Sequence, residues 1–275
     1  MLRITETDDL EEIYQYQMGF GAPWFFPTDY ENWKESFEAD VDGEGRTLFR
    51  ELFLKDAYDE DKLVGFIQYG RTAFGFEDGP ESYCVIRNLY FDEARADAGR
   101  QLLREAMDAF AGADRVYAFF HYFGMSCFAR HGKLFEQHGY IESLLKASGF
   151  VTEHENVYYS SVLKEEKESG VVIAPQDLTK GRQRYMDFLL DGNQVGGCEV
   201  HFVDDRAAYL RWIYVNENLT GRGIGSQCMT ALKHWLSQKG ILRFDTDTAL
   251  GNTVAQRFYE KNGFTREGIT RSYYR

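Results

Sequence analysis

Two spacings of hydrophobic residues alternate along the chain and predict its helices and strands. Apolar residues recurring every three or four positions indicate amphipathic helices, and apolar residues alternating with polar ones indicate half-buried strands. The helical spacing predicts helices over 98–112 and 224–240, and in the second of these Ile224, Cys228 and Leu232 share one face. Alternating or continuously apolar runs predict strands over 63–70, 83–91, 116–123, 156–163, 194–203, 207–215 and 241–249.

End signals and turn residues predict the remaining elements. A short strand at 2–4 leads into a helix from about Thr7, with Asp8 and Asp9 in its acidic first turn. An aromatic loop at 23–27 precedes a helix that ends near residue 37. Further helices are predicted over 139–147, 177–192 and 252–263, and a strand over 264–274 closes the chain.

A charged segment at 164–170 divides the chain in two. It reads Lys-Glu-Glu-Lys-Glu-Ser-Gly, which is typical of a solvated linker. The segments 83–163 and 207–275 share the order strand, loop, helix, strand, helix, Gly-Phe, strand. A repeat of about 80 residues is too long for a solenoid unit. It predicts two related α/β domains, at 1–163 and 171–275, joined by the linker.

Composition places the chain among globular proteins and shows that its charge is uneven. The 275 residues include 31 basic and 44 acidic side chains, a net charge of −13, with 44% hydrophobic residues. No apolar run approaches the roughly 20 residues of a membrane span, and the acidic N-terminus lacks a secretory layout, so a cytoplasmic protein is expected. Residues 1–163 carry 15 basic and 30 acidic residues, whereas 164–275 carry 16 and 14. This balance argues against a nucleic-acid partner, and an anionic ligand is expected in the second part.

The cysteines and histidines give no metal-binding pattern. Cys84, Cys127, Cys198 and Cys228 are isolated in apolar surroundings, so we expect reduced core residues. The histidines of the first part, His121, His131, His138 and His154, are irregularly spaced, and scattered core or surface positions are expected for them. No metal is therefore predicted.

A glycine-rich loop at 220–226 follows one predicted strand and opens a predicted helix. Its glycines let the backbone turn tightly and direct several N–H groups to one point. The positive end of the helix adds to the attraction for an anion such as pyrophosphate. The loop fits neither common nucleotide-binding glycine pattern, and a plain tight turn is the alternative interpretation.

Together with its surroundings, this loop resembles the signature of the GCN5-related N-acetyltransferases (GNAT). The resemblance rests on Tyr214 and Val215, the Gly221–Gly225 pentapeptide, Asn252, Ala255 and the run 258–264, and it is specific over 194–266. It implies an α/β fold of two GNAT-like domains, each with a mixed, mostly antiparallel sheet flanked by helices. It also implies an enzyme that transfers the acetyl group of acetyl-CoA to an amine by direct attack, without a metal.

The resemblance also implies which residues hold acetyl-CoA. Backbone N–H groups of the loop would bind the pyrophosphate, and the strand end would pair with the pantetheine arm and polarise the thioester near Ile213. Thr220 departs from the family pattern, which has Arg or Gln there, and Arg222 could supply the missing charge. The predicted cofactor-binding residues are Ile213, Tyr214, Val215, Thr220, Gly221, Arg222, Gly223, Ile224, Gly225, Ser226, Asn252 and Tyr259.

Tyr259 and Asn252 lie seven residues apart, two helical turns, and so share one face. The resemblance makes Tyr259 the general acid that protonates the leaving thiolate and Asn252 a cofactor-positioning residue. The alternatives are an aromatic side chain packing beside Phe258 for the first and a helix N-cap for the second.

Attack on the thioester requires a neutral amine, and therefore a base. Glu199 lies mid-strand and is the predicted base, with His201 on the same face as the second candidate. Either could instead face solvent. Asp245 and Asp247 also share a face and could bind a cationic acceptor, although a hydrogen-bonded strand end is the plainer interpretation.

The first part is predicted to be a degenerate, non-catalytic copy. Alignment of the two Gly-Phe pairs sets His138 opposite Asn252 and Leu145 opposite Tyr259, and the loop equivalent, 92–100, keeps one glycine and gains three acids. Carboxylates there would repel a pyrophosphate. The aromatic loop at 23–27 is expected to pack between domains or to wall an acceptor pocket.

Two other functions remain open at this point, a non-catalytic acyl-CoA sensor and an interaction protein. The acceptor, a small-molecule or peptide amine, is not identified by the sequence. The protein could be a monomer or a homodimer.

Overall fold

The structure is a computed structural model of the chain. It describes residues 1–275 except 7–8, 27, 43–44, 76–79, 165–167 and 177–181. The strands are β1 Leu2–Thr5, β2 Phe49–Asp59, β3 Lys62–Thr72, β4 Cys84–Phe91, β5 Val116–Ala118, β6 Leu134–Phe135, β7 Val151–Val162, β8 Val171–Pro175, β9 Gln183–Leu190, β10 Asn193–Phe202, β11 Ala207–Val215, β12 Arg243–Ala249 and β13 Thr265–Tyr274. The α-helices are α1 Leu10–Met18, α2 Tyr30–Glu38, α3 Ala96–Ala109, α4 Gly139–Ala147, α5 Ile224–Ser237 and α6 Thr253–Lys261.

The chain forms two compact units that do not follow chain order. The first contains Met1–Asp42, Arg46–Glu155 and Thr270–Arg275, and the second contains Asn156–Ile269. Strands β7 and β13 are each divided between the units. The predicted domains, 1–163 and 171–275 with the linker 164–170, stay a prediction, and residues 165–167 of that linker lie outside the described residues.

The first unit has the strand order β1-β2-β3-β4-β5-β13. Its strand pairs are antiparallel except for β4 and β5, which run parallel from Cys84↔Val116 to Ile86↔Ala118. Helix α3 buries Leu102, Leu103 and Ala106, the face that the helical spacing predicts. Every residue of β4 is buried, so this strand is covered on both of its faces.

The second unit has the strand order β7-β12-β11-β10-β9-β8, with β11 and β12 as its parallel pair. One face of the sheet forms a core with α5 and α6. There Cys198, Leu210, Cys228, Leu232 and Phe244 are fully buried. The two units therefore repeat one arrangement, in which a parallel strand pair is connected by a helix and a second helix follows.

Two predicted elements are corrected by the structure, and one long strand was missed. The helix over 177–192 is wrong for 183–190, which form strand β9, and residues 177–181 lie outside the described residues. Met186 and Phe188 are buried two positions apart, so the period is that of a strand. The strand over 116–123 ends at Ala118, because Phe119 adopts a φ of +54° and a 3-10 turn follows at His121–Phe123. Strand β2 was not predicted.

The first helix begins at Leu10, with Asp9 as its N-cap. The Asp9 carboxylate accepts a hydrogen bond from the Glu12 N–H at 3.1 Å, whereas Thr7 and Asp8 lie outside the described residues.

The aromatic loop packs on its own unit. Trp24 lies 4.4 Å from the His131 ring and Phe25 lies 4.7 Å from the Phe128 ring, whereas Pro27 is not described. That the loop packs between domains or walls an acceptor pocket stays a prediction.

All four cysteines are buried and free, as the sequence predicts. Burial raises the pKa of the Cys228 thiol to about 11, so this thiol is protonated at neutral pH. Among the described helices, none is long and apolar enough to cross a membrane.

Candidate functional site

A gap opens between the two parallel strands of the second unit. Strands β11 and β12 pair from Ala207↔Arg243 to Leu210↔Thr246, and there the pairing stops although both strands continue. The outer side of each strand stays paired, β11 with β10 as far as Val215 and β12 with β7 as far as Ala249. The backbone of β11 beyond Leu210 therefore has one unpaired edge, which can hydrogen-bond a ligand.

A β-bulge marks the point at which the two strands separate. In the β10–β11 ladder Glu199 pairs with Trp212 and Val200 with Leu210, so Arg211 is the extra residue. A bulge bends its strand and increases the local twist. This bend directs Ile213–Val215 away from β12 and widens the gap.

The glycine loop connects the end of β11 to helix α5. Gly221 and Gly223 adopt φ values of +74° and +79°, with nothing within 4 Å of the position that a Cβ would take. Their lack of a side chain therefore meets a backbone requirement rather than a shortage of space. Gly223 is the N-cap of α5 and offers no side-chain cap, so the N–H groups of Ile224 and Gly225 remain available to an anion. The Ser226 N–H already donates to the Gly223 carbonyl oxygen at 3.1 Å.

Gly225 has a different role in the same loop. A Cβ on this residue would lie 3.3 Å from Cε2 of Phe258, so its absence lets α5 approach α6 closely. Close approach sets the two helices on either side of one depression.

The gap, the loop and α6 together line a cavity of about 410 Å³. Its walls are Ile213, Tyr214, Val215, Thr220, Gly221, Gly223, Gly225, Ser226, Asn252, Val254, Ala255, Phe258 and Tyr259. Three predicted residues, Arg222, Ile224 and Glu199, are not among the lining residues. Val254, Ala255 and Phe258 were not predicted as site residues. Val254 is 78% exposed. In the sequence, an apolar residue in the first turn of a helix, next to the N-cap Asn252, is the signal that could have identified it.

Tyr259 lines this cavity and packs among aromatic rings. It is buried, and its ring lies 5.7 Å from that of Tyr159 and 5.5 Å from that of Phe264. Burial raises the pKa of the phenol, the charge of Asp247 raises it further, and a hydrogen bond with Thr246 acts in the opposite direction. The phenol is therefore a neutral proton donor at pH 7, and its packing and its chemistry are compatible.

Asn252 is the N-cap of α6. Its side-chain oxygen accepts a hydrogen bond from the Ala255 N–H at 3.1 Å, which satisfies the N-cap interpretation, and the residue also lines the cavity.

Glu199 is already engaged by its neighbours. Its carboxylate accepts a hydrogen bond from the Trp212 indole N–H at 2.7 Å and lies 3.2 Å from Nε of Arg211. Because Cys198 and Val200 face the core, Glu199 and the buried His201 lie on the other face of the sheet. Trp212 and Tyr214 are partly exposed on that face, with their rings 5.9 Å apart.

The two aspartates of β12 differ in their surroundings. Asp245 is fully buried and binds the Tyr158 hydroxyl at 2.8 Å and Nε of Arg243 at 2.9 Å. Burial raises its pKa to about 6, and these two partners act in the opposite direction. Asp247 is half-buried, lies one residue beyond the last residue of β12 that pairs with β11, and accepts a hydrogen bond from the Tyr209 hydroxyl at 2.7 Å.

The corresponding gap of the first unit is filled by side chains. Strands β4 and β5 also stop pairing after Ile86, and the extra residue of the bulge is again an arginine, Arg87. Arg87 is buried, pairs with Asp40, and donates to the Phe123 and Gly124 carbonyl oxygens at 2.9 and 3.2 Å. The chain after β5 is thereby tied across the region that is open in the second unit.

Aromatic rings fill the remainder of that region. Tyr90, the counterpart of Tyr214, is buried against the rings of Phe20, Phe66 and His138. Burial lowers the pKa of His138 to about 4, so it is a neutral core histidine. Leu145, the residue aligned with Tyr259, is fully buried.

The loop before α3 is also unlike the glycine loop. A Cβ on Gly99 would lie 2.6 Å from Cε1 of Phe91, so this glycine is required by packing inside the unit. Arg95 pairs with Asp97 at 3.0 Å and with Asp59, which commits its charge to carboxylates.

Comparison with known proteins agrees with this geometry. Residues 149–264 match the model of the acetyltransferase (GNAT) family. The match covers 116 of the 275 residues, and it includes the whole of the glycine loop and helix α6. The predicted fold class, α/β with mostly antiparallel sheets flanked by helices, is confirmed by solved GNAT structures of similar fold.

The curated relatives are distant and cover a part of the chain. Two of them, both aminoglycoside N(6')-acetyltransferases of type 1, come from Salmonella typhimurium and Salmonella enteritidis. Each is 26% identical over 80 residues, which is 29% of this chain and 52% of the relative. The match therefore spans about half the length of these relatives.

Solved structures match the whole chain. A tandem GNAT protein from the clavulanic acid biosynthesis pathway has a TM-score of 0.66 and 12% identity, over 100% of this chain and 98% of its own. A GCN5-related N-acetyltransferase from Sphaerobacter thermophilus has a TM-score of 0.65 and 10% identity, over 100% and 95%. A glucosamine N-acetyltransferase region of a fungal multi-domain enzyme has a TM-score of 0.69 and 13% identity, over 100% of this chain and 38% of that one. At these identities the similarity shows the fold alone.

Proposed function

We propose that this protein is an N-acetyltransferase that transfers the acetyl group of acetyl-CoA to a primary amine. One observation carries the proposal, namely that a cavity of about 410 Å³ joins an unpaired strand edge, a helix N-terminus preceded by glycines, and a buried neutral tyrosine. An acyl donor with a pyrophosphate needs the first two, and a thiolate leaving group needs the third.

The residues present fit acetyl-CoA in three places. N–H groups from Gly223 to Gly225 would bind the pyrophosphate at the start of α5. The free edge of Ile213–Val215 would pair with the amides of the pantetheine arm, and its N–H groups would stabilise the oxyanion. When bound, acetyl-CoA supplies an acetyl thioester whose carbonyl carbon accepts the nucleophile.

In the proposed reaction the acetyl group passes directly from the thioester to the amine. The amine first releases a proton to solvent, and its neutral nitrogen then forms a bond with the carbonyl carbon while the carbon–sulfur bond breaks. One amine proton passes to a carboxylate, and the Tyr259 hydroxyl gives its proton to the sulfur. Proton transfer through solvent from the carboxylic acid to the tyrosinate restores both groups. Because its pKa is raised by burial, Tyr259 keeps its proton until the thiolate forms.

Replacement of this tyrosine is the direct test. Tyr259→Phe is expected to lower kcat about 100-fold, the usual size of a lost general acid. The dissociation constant of acetyl-CoA should stay within about threefold, because the ring packing on Tyr159 and Phe264 is kept. Release of free CoA thiol measures turnover, and calorimetric titration measures binding.

Tyr159→Phe is the matched control for that variant. The Tyr159 hydroxyl donates to Glu260 at 3.1 Å, and the residue does not line the cavity. Its kcat should therefore be close to that of the wild type. A Tyr259→Phe protein with wild-type turnover would remove the general acid from the mechanism. A wild-type protein that binds acetyl-CoA but acetylates no amine would instead favour an acyl-CoA sensor.

Two carboxylates compete for the role of base. Glu199, the base predicted from the sequence, remains a prediction, but its carboxylate is held by Trp212 and Arg211. Asp247 lies on the strand that borders the gap, and its charge acts on Tyr259. This position favours Asp247, with Tyr209 as its positioning partner, as the group that receives the amine proton.

The pH dependence of the rate separates the two candidates. Asp247→Asn is expected to lower kcat/KM about 100-fold and to remove the acidic limb of the pH profile, because the proton acceptor is lost. Glu199→Gln removes the same charge from the same sheet and should change kcat/KM by less than about fivefold. The reverse order of effects would restore Glu199 as the base.

The acceptor is proposed to be a cationic amine. The curated relatives are named for aminoglycosides, so an aminoglycoside is the first acceptor to test, followed by polyamines, amino acids and peptide N-termini. We also propose that the first unit binds no acetyl-CoA, because Arg87 and Tyr90 fill the region that corresponds to the cavity.

A further inference from the structure

Three potential metal ligands of the first unit lie together. One donor atom from each of His121, Glu153 and His154 lies within 4.8 Å of the other two. The two imidazole rings meet edge to face with their centroids 4.8 Å apart, and Nε2 of His154 lies 4.0 Å from Oε1 of Glu153. Consecutive strand residues normally point to opposite faces. These two neighbours on β7 instead converge on His121.

The surrounding residues hold this group in place. Ser272 donates its hydroxyl to Oε2 of Glu153 at 3.1 Å, which leaves Oε1 directed at His154. His121 begins the 3-10 turn after β5, and its ring lies 3.9 Å from that of Tyr122. A carboxylate oriented by a second hydrogen bond is the usual support of a metal ligand.

The exposure of the three residues gives an ion a route of entry. His121 and Glu153 are half-buried, whereas the side chain of His154 is 51% exposed. Zinc binds imidazole nitrogen and carboxylate oxygen at about 2.0–2.2 Å, which sets tetrahedral ligand atoms about 3.4 Å apart. The group therefore needs to contract by little more than an ångström, and rotation of the exposed His154 side chain provides this.

Two features of the surroundings attract a cation to this group. The Glu153 carboxylate is half-buried, and a partly desolvated carboxylate gains stability from a cation bound directly to it. Residues 1–163 carry 30 acidic against 15 basic side chains, so their long-range field attracts cations.

We propose that His121, Glu153 and His154 form a binding site for a late first-row transition-metal ion such as Zn²⁺, with water in the fourth position. Two nitrogen ligands and one oxygen ligand suit zinc, whereas calcium and magnesium prefer sites made of oxygen alone. This site revises the expectation that the histidines are merely scattered, and it is independent of the proposed acetyl transfer.

Zinc titration of the full-length protein against a chromophoric chelator tests the site. The wild type is expected to bind one Zn²⁺ per chain with micromolar affinity or better, and millimolar Mg²⁺ should not compete. His154→Ala and Glu153→Gln should each weaken binding at least about tenfold, because each removes a ligand. His234→Ala removes a histidine of α5 outside the group and should bind as the wild type does.

Thermal unfolding provides a second readout of the same variants. Saturating Zn²⁺ should raise the Tm of the wild type and of His234→Ala, but not that of His154→Ala. His154 is exposed, so its variant is expected to fold even if His121→Ala does not. A wild type that binds no Zn²⁺ would overturn the proposal, as would zinc binding that the His154 and Glu153 variants retain or that millimolar Mg²⁺ displaces.

Discussion

Gly223→Asp is expected to weaken acetyl-CoA binding at least about 100-fold. Gly223 has a φ of +79°, a conformation that costs other residues about 1–2 kcal/mol. The new carboxylate would also stand at the start of α5, where the pyrophosphate is proposed to bind, and would repel it. A 100-fold loss corresponds to roughly 2.7 kcal/mol, so the repulsion has to supply about 1 kcal/mol or more beyond the backbone cost. Calorimetric titration with acetyl-CoA measures the loss.

Two variants separate the causes of that loss. Gly223→Ala keeps the strain without the charge and should weaken binding about tenfold. Gly112→Asp is the matched control in the first unit, since Gly112 has a φ of +84° and equally open surroundings. It should cost stability and leave acetyl-CoA affinity unchanged. Retained affinity in Gly223→Asp would refute the assignment of the loop.

Gly99→Asp, which the sequence alignment suggests as the control, is unsuitable. The structure sets the Gly99 backbone against the Phe91 ring, so any side chain there disrupts the core of the first unit. A loss of affinity in that variant would report on folding rather than on a second cofactor site.

Asp56→Asn is expected to stabilise the protein by several kcal/mol above neutral pH. Asp56 on β2 is fully buried, and its carboxylate oxygens have no hydrogen-bond partner among the described residues. Burial, with the charges of Glu12 and Asp9 adding to it, raises its pKa from 3.8 to about 8. Asparagine keeps the shape of the side chain and does not ionise.

The raised pKa fixes the direction of the pH dependence. Between pH 3.8 and about 8 the folded state holds a proton that the unfolded state releases, so the wild type loses stability as pH rises. The loss is about 1.4 kcal/mol per pH unit in this window and is constant above it. The advantage of Asp56→Asn should therefore grow from pH 5 to pH 8 and then level off.

Urea unfolding at pH 5, 7 and 9 measures this advantage. Asp61→Asn removes an exposed carboxylate from the adjacent turn and should leave the pH dependence unchanged. A constant difference between wild type and Asp56→Asn across the three pH values would show that Asp56 ionises normally in the folded protein.

Most elements of the fold could be predicted where one face of the element meets the core. Helix α5 follows its apolar stripe, and α6 follows its Asn252 N-cap and the glycine stop at Gly263. The prediction was wrong for 183–190. A short apolar run fits the spacing of a helix as well as that of a strand, and here pairing within the sheet selects the strand β9. The prediction was also wrong after β5, where Phe119 adopts a left-handed conformation that no local signal indicates.

Some features of the candidate site could likewise be predicted from the sequence, and others could not. The glycine loop forms one motif, and Asn252 with Tyr259 forms another, so each could be found from the sequence. Their meeting in one cavity depends on the packing of α5 against α6. The sequence predicts Glu199 as the base only from its position in the middle of a strand. Its ties to Trp212 and Arg211 depend on the register and the bulge of β11, which the sequence does not display.

The features that depend on neighbours in the chain could be recognised from the amino-acid sequence alone. These are the repeated order of elements, the glycines with positive φ before α5, the seven-residue spacing on α6, and the concentration of acidic charge before residue 164. The tertiary structure decided the gap between β11 and β12, its closure by Arg87 in the first unit, and the meeting of His121 with Glu153 and His154. Each of these depends on contacts between residues more than 30 positions apart. Local propensity does not encode such contacts, because packing and strand pairing select them from many alternatives.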